Sequence, residues 1–284
     1  MIKHKTMKVK QLTSFKIDDT IKDAVNDIQW RIESNNFKEL FIEVCNEIIE
    51  GIAISWTNAF HPTAKYISII STDYNHQLME NLLEQIAPQN KVIFSCWENE
   101  KDKLRYIDEF SFTLFRRTFM ESYSIDYLIN RLQLIDEEPT ILTLQQVLSN
   151  SPLEKNLFQL LKHNYEQTHL DNEANDIPWD KWREVLLRDN PDPQISHIAV
   201  ENDCVTAYIF VHQVNNEHYE IGWMGKSSSF NLHTILSKQL KQLAANGVKT
   251  VEFEVDTTDY FAYEFADTLE LDKKQSWNSY VLNY

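Results

Sequence analysis

The chain has 284 residues, 43% of them hydrophobic and 25% charged, and a formal charge of -16. This composition describes a folded globular protein and excludes disorder; its acid excess excludes a nucleic-acid backbone as partner, because such binders concentrate Lys and Arg on one face. The length suits two domains of ordinary size.

In chain order, the basic Met1–Lys10 stretch is followed by no apolar run, and no segment reaches membrane-spanning length, so a cytoplasmic protein without a membrane partner is expected. Lys8–Phe15 reads as a strand and Ile17–Ser34 as a helix. Phe41–Ile54 alternates apolar residues about a polar turn, the pattern of a β-hairpin. Leu78, Met79, Leu83 and Ile86 keep helical spacing, and Val92–Trp97 reads as a strand. Thr140–Val147 reads as another strand, with helices at Leu153–Leu170 and Trp179–Arg188 separated by the acidic Asp171–Pro178 loop. The cysteines Cys45, Cys96 and Cys204 fall in strands without metal-like spacing, which predicts buried thiols in a reducing compartment. The histidines show no zinc-ligand spacing, and no metal is expected.

The second half repeats the first. Phe41–Ile54 aligns without gaps on His197–Phe210, Val92–Trp97 on Val251–Asp256, and Phe110–Phe112 on Leu269–Leu271. Between them Leu78, Leu83 and Ile86 meet Ile235, Leu240 and Leu243. The same elements recur in the same order about 156 to 159 residues apart. Two α/β modules are therefore expected, at 1–138 and 139–284.

Tyr219–Asp259 is the most specific segment: strand, polar turn, amphipathic helix, glycine, strand. It holds Gly222, Gly225 and Gly247, three of the four glycines in the chain. The first two sit where a ligand or another backbone can come close, and Gly247 sits where a helix end needs a left-handed residue. Leu232, Ile235, Leu236, Leu240 and Leu243 form one apolar stripe, so the helix starts near Asn231, with Ser227, Ser228 and Ser229 at its positive end. Hydroxyls and free amides there suit an anion, typically phosphate; a simple serine cap is the plainer alternative.

This order resembles the acetyl-CoA-binding core of the GNAT N-acetyltransferase superfamily. The resemblance implies an α/β fold of two tandem GNAT-like modules, each a mixed, mostly antiparallel twisted sheet flanked by helices. It places Ser228 at the Arg/Gln position of the family's phosphate turn, and Asn231 and His233 at the two glycine positions. It implies acetyl-CoA as co-substrate, held by Trp223, Met224, Gly225, Ser227, Ser228, Ser229, Asn231 and His233. The first copy is shorter between Tyr66 and His76 than the second between Tyr219 and His233, and Asp73 there repels phosphate. The first copy is thus expected to be a degenerate scaffold or acceptor wall.

Acyl transfer from a thioester to an amine needs a proton acceptor and a proton donor. The family's usual acid, a Tyr in the last core helix, falls on Ala266. Tyr263, one turn earlier on the same face, is the candidate acid, and Glu220 on the preceding strand the candidate base. Glu252, Glu254 and Asp256 share one strand face and suit a cationic acceptor, a small amine or a peptide amino group. The expected function is an acyl-CoA-dependent N-acyltransferase working by direct transfer. The missing glycines and tyrosine leave a non-catalytic binding protein of the same fold as the alternative.

Overall fold

The computed structural model describes residues 5–6, 15–86, 91–132, 139–227 and 230–283. They gather into two compact units: Met1–Arg116 with Asp171–Asn175 and Trp277–Tyr284, and Arg117–Leu170 with Asp176–Ser276.

The first unit contains β1 (Lys5–Thr6), β2 (Lys16–Ile17), α1 (Lys22–Glu33), β3 (Leu40–Cys45), β4 (Ile48–Asn58), β5 (His61–Ser71), α2 (His76–Gln85), β6 (Lys91–Trp97) and α3 (Lys101–Glu109). The last strand of the chain, β13 (Ser276–Leu282), completes it. Strand order is β1-β3-β4-β5-β6-β13, with β2 beside β4; only β5/β6 and β2/β4 run parallel. β4 is buried on both faces, which explains its nearly continuous apolar run. Ile52 and Ile54 pack with Val25, Ile28 and Ile32 of α1, while Ala53 joins the cluster of Leu78, Leu82 and Ile107.

The second unit contains β7 (Thr113–Ser124), α4 (Ile125–Ile129), β8 (Thr140–Thr143), α5 (Leu144–Leu148), α6 (Ser151–Thr168), α7 (Trp179–Arg188), β9 (His197–Glu201), β10 (Cys204–Gln213), β11 (His218–Lys226), α8 (Leu232–Ala245), β12 (Thr250–Asp256) and α9 (Tyr260–Thr268). Strand order is β7-β12-β11-β10-β9-β8, antiparallel except for β11/β12. The stripe of α8 and the apolar face of α9 close a core over Ile209, Ile221, Val251 and Phe253.

The repeat extends to backbone detail. The hairpin turns Asn46-Glu47 and Asn202-Asp203 place both central residues at positive φ (49°, 67° and 50°, 61°), the twist-matched two-residue turn. After α3 and α9, Ser111 (φ 59°) and Glu270 (φ 50°) each end the helix, and Phe112 and Leu271 donate back to Ile107 O and Ala266 O. Gly247, at φ 83°, follows α8 as expected, and Val248 N–H donates to Leu243 O.

Four expectations need correction or qualification. Thr140–Val147 is a strand only to Thr143, because Thr143 and Gln146 form a reciprocal capping box that starts α5. The helix expected from Ile17 begins at Lys22, since Lys16–Ile17 pairs with Ile48–Ile49. The strand expected at Lys8–Phe15 lies almost wholly outside the described residues. Cys96 is buried, but Cys45 is half-buried and Cys204, beside the turn, is exposed. The spatial units also follow no single cut in the sequence: β13 pairs with β6, and β7 pairs with β12. Among the described residues no helix is long and apolar enough to cross a membrane, and no metal-ligating cluster occurs.

Candidate active site of the second unit

Two neighbouring strands part company here. β11 and β12 pair in parallel from His218↔Thr250 to Ile221↔Phe253 and, among the described residues, no further. β11 continues to Lys226 along β10, whereas β12 continues to Asp256 along β7. A wedge opens between them, and beyond Ile221 the β12-facing edge of β11 has no β12 register partner. A bulge sits at the opening: Phe210 faces Trp223 and Val211 faces Ile221, so Gly222 is the extra residue. The bulge resets the alternation. Tyr219 and Ile221 face the core before it, and Met224 returns to the core after it.

Gly222, Met224, Glu254, Asp256, Asp259 and Ala262 enclose a cavity of about 30 Å³ in the wedge. Asp259 caps α9, accepting from the N–H groups of Phe261 and Ala262, and burial with Asp256 nearby pushes its carboxyl up to about 6. Asp256 itself accepts from Thr118 Oγ1. Sequence reading passed over Asp259; its place directly before an apolar helical run was the available signal.

A larger cleft of about 250 Å³ adjoins the N-terminus of α8, lined by Lys226, Phe230, Asn231, Leu232, His233 and, from α9, Phe261, Glu264, Phe265 and Thr268. Lys226 and the helix dipole favour an anion there, and Glu264 opposes it. Asn231 is the N-cap, its Oδ1 accepting from His233 N–H at 3.0 Å. The His233 ring is buried, edge-on to Phe265, with Nε2 2.9 Å from Thr268 Oγ1. Burial pushes its pKa down. The ring therefore turns into the gap between α8 and α9. Ser227 extends the β10 pairing through its N–H to Thr206 O. Ser228 and Ser229 lie outside the described residues.

The other expected site residues distribute unevenly. Gly225 admits two side chains of its own unit: an added Cβ would lie 2.6 Å from Tyr208 Oη and closer still to Asn164 Nδ2. Trp223 turns away from the core, stacks on Tyr165 at 5.6 Å and donates its indole N–H to Asp189 Oδ2 at 2.9 Å. Glu220 stands opposite His212 on β10, and its carboxylate leans over Gly222. Tyr263 lines neither cavity; its ring packs at the core margin with Lys273 Nζ 3.9 Å from its centre. His212 and Asp189 were missed, because 23 residues of sequence separate groups that the fold brings to 3.3 Å.

In the first unit the equivalent wedge, beyond Ile67↔Phe94, meets a different side chain. Tyr106 is buried, accepts Asn75 N–H at 2.7 Å and lies 3.3 Å from Ser71 Oγ. Asn75 is the N-cap of α2, so a phenol occupies an amide at the helix start. Tyr106 aligns with Phe265, which has no hydroxyl to do the same.

The chain has the fold of solved GNAT N-acetyltransferases, a tandem GNAT protein among them. Solved structures carry that fold across the chain. A GCN5-related N-acetyltransferase from Sphaerobacter thermophilus matches 99% of this chain and 95% of its own, with TM-score 0.62 and 12% identity. A tandem GNAT protein from the clavulanic acid biosynthesis pathway matches 99% and 98%, with TM-score 0.55 and 8% identity. The GCN5-related glucosamine N-acetyltransferase region of a fungal multi-domain β-N-acetylglucosaminidase matches 99% of this chain and 38% of its own, with TM-score 0.59 and 11% identity. At the level of sequence, no family model and no curated protein matches.

Proposed function

We propose that this chain is an acyl-CoA-dependent N-acyltransferase that binds acetyl-CoA in its second unit and transfers the acyl group directly to a cationic amine. The observation that carries this reading is the β11/β12 wedge together with the cleft at the N-terminus of α8, which Lys226 at the end of β11 helps to line. Acetyl-CoA supplies the acyl group as a thioester. Edge amides from Gly222 onward suit an extended amide-bearing arm, and Lys226 with the first turn of α8 suits its pyrophosphate. Acidic groups about the wedge, Glu254, Asp256 and Asp259, give it the sign that draws an ammonium. In the first unit, Tyr106 fills the corresponding helix start, which supports one coenzyme per chain and a scaffolding role for that unit.

Calorimetric titration of acetyl-CoA tests this. Binding is expected at one per chain, and Asn231→Glu, which puts a carboxylate at the phosphate end, should abolish it while the far-UV spectrum stays unchanged. Absence of binding by the wild type at millimolar coenzyme would refute the enzyme reading and leave a non-catalytic interaction protein of the same fold.

A further inference from the structure

At the Gly222 bulge, side chains from three elements converge on the face of β11 turned away from the core. His212 comes from β10, Glu220 from β11, and Asp189 from the segment after α7. The Nε2 of His212 is buried and lies 3.3 Å from Asp189 Oδ2, in contact with the carboxylate though off the line of a hydrogen bond. The same Asp189 oxygen accepts the Trp223 indole N–H. Asp189 is held below the ordinary carboxylate range, first by His212 and then by that indole, against the opposing effect of burial. The opposite edge of the imidazole faces the bulge: the point where a Cβ would stand on Gly222 is 3.9 Å from both Nδ1 and Cε1. Glu220 Oε1 is 3.4 Å from that point. A carboxylate and a ring nitrogen thus meet over a residue without a side chain, where β11 leaves β12.

We propose that His212, oriented by Asp189, is the proton acceptor for the amine, and that Glu220 holds the incoming ammonium over Gly222. This deepens the acyltransferase reading and rests on it. With Asp189 at Nε2, the neutral imidazole carries its proton on Nε2 and presents the Nδ1 lone pair to the bulge. An ammonium paired with Glu220 gives one N–H proton to Nδ1. The freed nitrogen lone pair forms the C–N bond as the thioester C–S bond breaks, and the sulfur leaves with that bonding pair as thiolate. The proton on Nδ1 passes to solvent, restoring the neutral ring, and the second N–H proton, lost from the acylated nitrogen as the neutral amide forms, goes to the thiolate to give the free thiol. The side chain of His212 is only 13% exposed, so the transfer takes place largely out of bulk water. Asp189 touches no substrate and is a positioning residue.

The experiment reads two quantities on wild type, His212→Ala, His212→Gln and Asp189→Asn: acetyl-CoA affinity by calorimetry, and CoA release with a panel of primary amines and with water alone. His212→Ala and His212→Gln should retain acetyl-CoA affinity within twofold and lose about 100-fold in kcat. Added imidazole should restore part of the His212→Ala rate, which no structural role of the ring would allow. Asp189→Asn should lower kcat about 10-fold at unchanged KM for acetyl-CoA. Retained kcat in both His212 variants, or failure of imidazole to raise the His212→Ala rate, overturns the assignment. So does a wild type that binds acetyl-CoA but releases CoA to no amine and to no water, an outcome that leaves the coenzyme site standing. A wild type that binds no acetyl-CoA overturns the acyltransferase reading itself, and this assignment with it.

Discussion

Replacing Gly225 with Ala should destabilise the second unit by about 2–4 kcal/mol. The added methyl would stand 2.6 Å from Tyr208 Oη and 2.8 Å from its Cζ, with Asn164 Nδ2 nearer still. All three distances are shorter than real Cβ contacts, so something must move. Tyr208 is 2% exposed and stacks on Phe210, and Asn164 is 4% exposed on α6, so neither has solvent to swing into. Overpacking of this kind costs about 1–3 kcal/mol. Separating Asn164 from Tyr208, whose 3.4 Å hydrogen bond is buried, adds about 1 kcal/mol. At roughly 2–4 °C per kcal/mol for a body of this size, the midpoint of thermal unfolding should fall by about 4–16 °C. Gly222→Ala is the control. Its methyl would meet nothing closer than Glu220 Oε1 at 3.4 Å, so it should stay within about 1 kcal/mol of wild type. Urea unfolding followed by tryptophan fluorescence, with calorimetric scans, checks both. A Gly225→Ala protein within about 0.5 kcal/mol of wild type would refute the reasoning, because the packing against β11 would then be loose.

Two pH effects of opposite sign should be separable. His197 is buried on β9, and burial with Lys238 nearby pushes it down to about 4, whereas an unfolded His titrates near 6.5. The unfolded chain binds the extra proton between those values. Stability from this group is therefore complete above about pH 6.5 and is lost as pH falls toward 4, by about 2–4 kcal/mol. His197→Gln should flatten that slope in urea midpoints taken from pH 4 to 7, and an unchanged slope would contradict the assignment. Asp259, pushed up to about 6, binds its proton more tightly in the folded state, so its contribution falls as pH rises from about 4 through 6. Asp259→Asn keeps a capping acceptor and removes the buried charge, so its stability relative to wild type should climb over that interval and level off above it. A difference independent of pH would show that Asp259 is solvated.

Much of this architecture was written in the local pattern. The stripe of α8, the Gly247 stop, both hairpins and the second-copy strands follow from periodicity and turn chemistry that act within a few residues. The helix ends at Ser111 and Glu270 adopt the left-handed backbone that a glycine would supply more easily. Partner choice between strands was not legible, because alternation shows that a strand has a buried face and not which neighbour it borrows. Hence a boundary at 138/139 was expected, although β7 pairs with β12 and β13 with β6. The site divided along the same line. The candidate strand and helix N-terminus are contiguous and could be read from sequence, whereas the contacts of Asp189 with His212 and of Tyr106 with Asn75 depend on approaches between distant segments. Gly225 was recognised as a place of close approach, but the visitors are Asn164 and Tyr208.

The pairing of β13 with β6 also sets an order of events during synthesis. The strand that completes the first sheet, from Trp277↔Trp97 to Leu282↔Val92, follows Arg116 by about 160 residues and leaves the ribosome well after the strand it pairs with. At about 5–20 residues per second, translation continues for roughly 8–30 s after Arg116 before that strand exists. During that interval the apolar edge of Val92, Ile93 and Phe94 stands open, a template that any other extended chain can join. That edge of the nascent first unit closes only when Trp277–Leu282 arrives to pair with it.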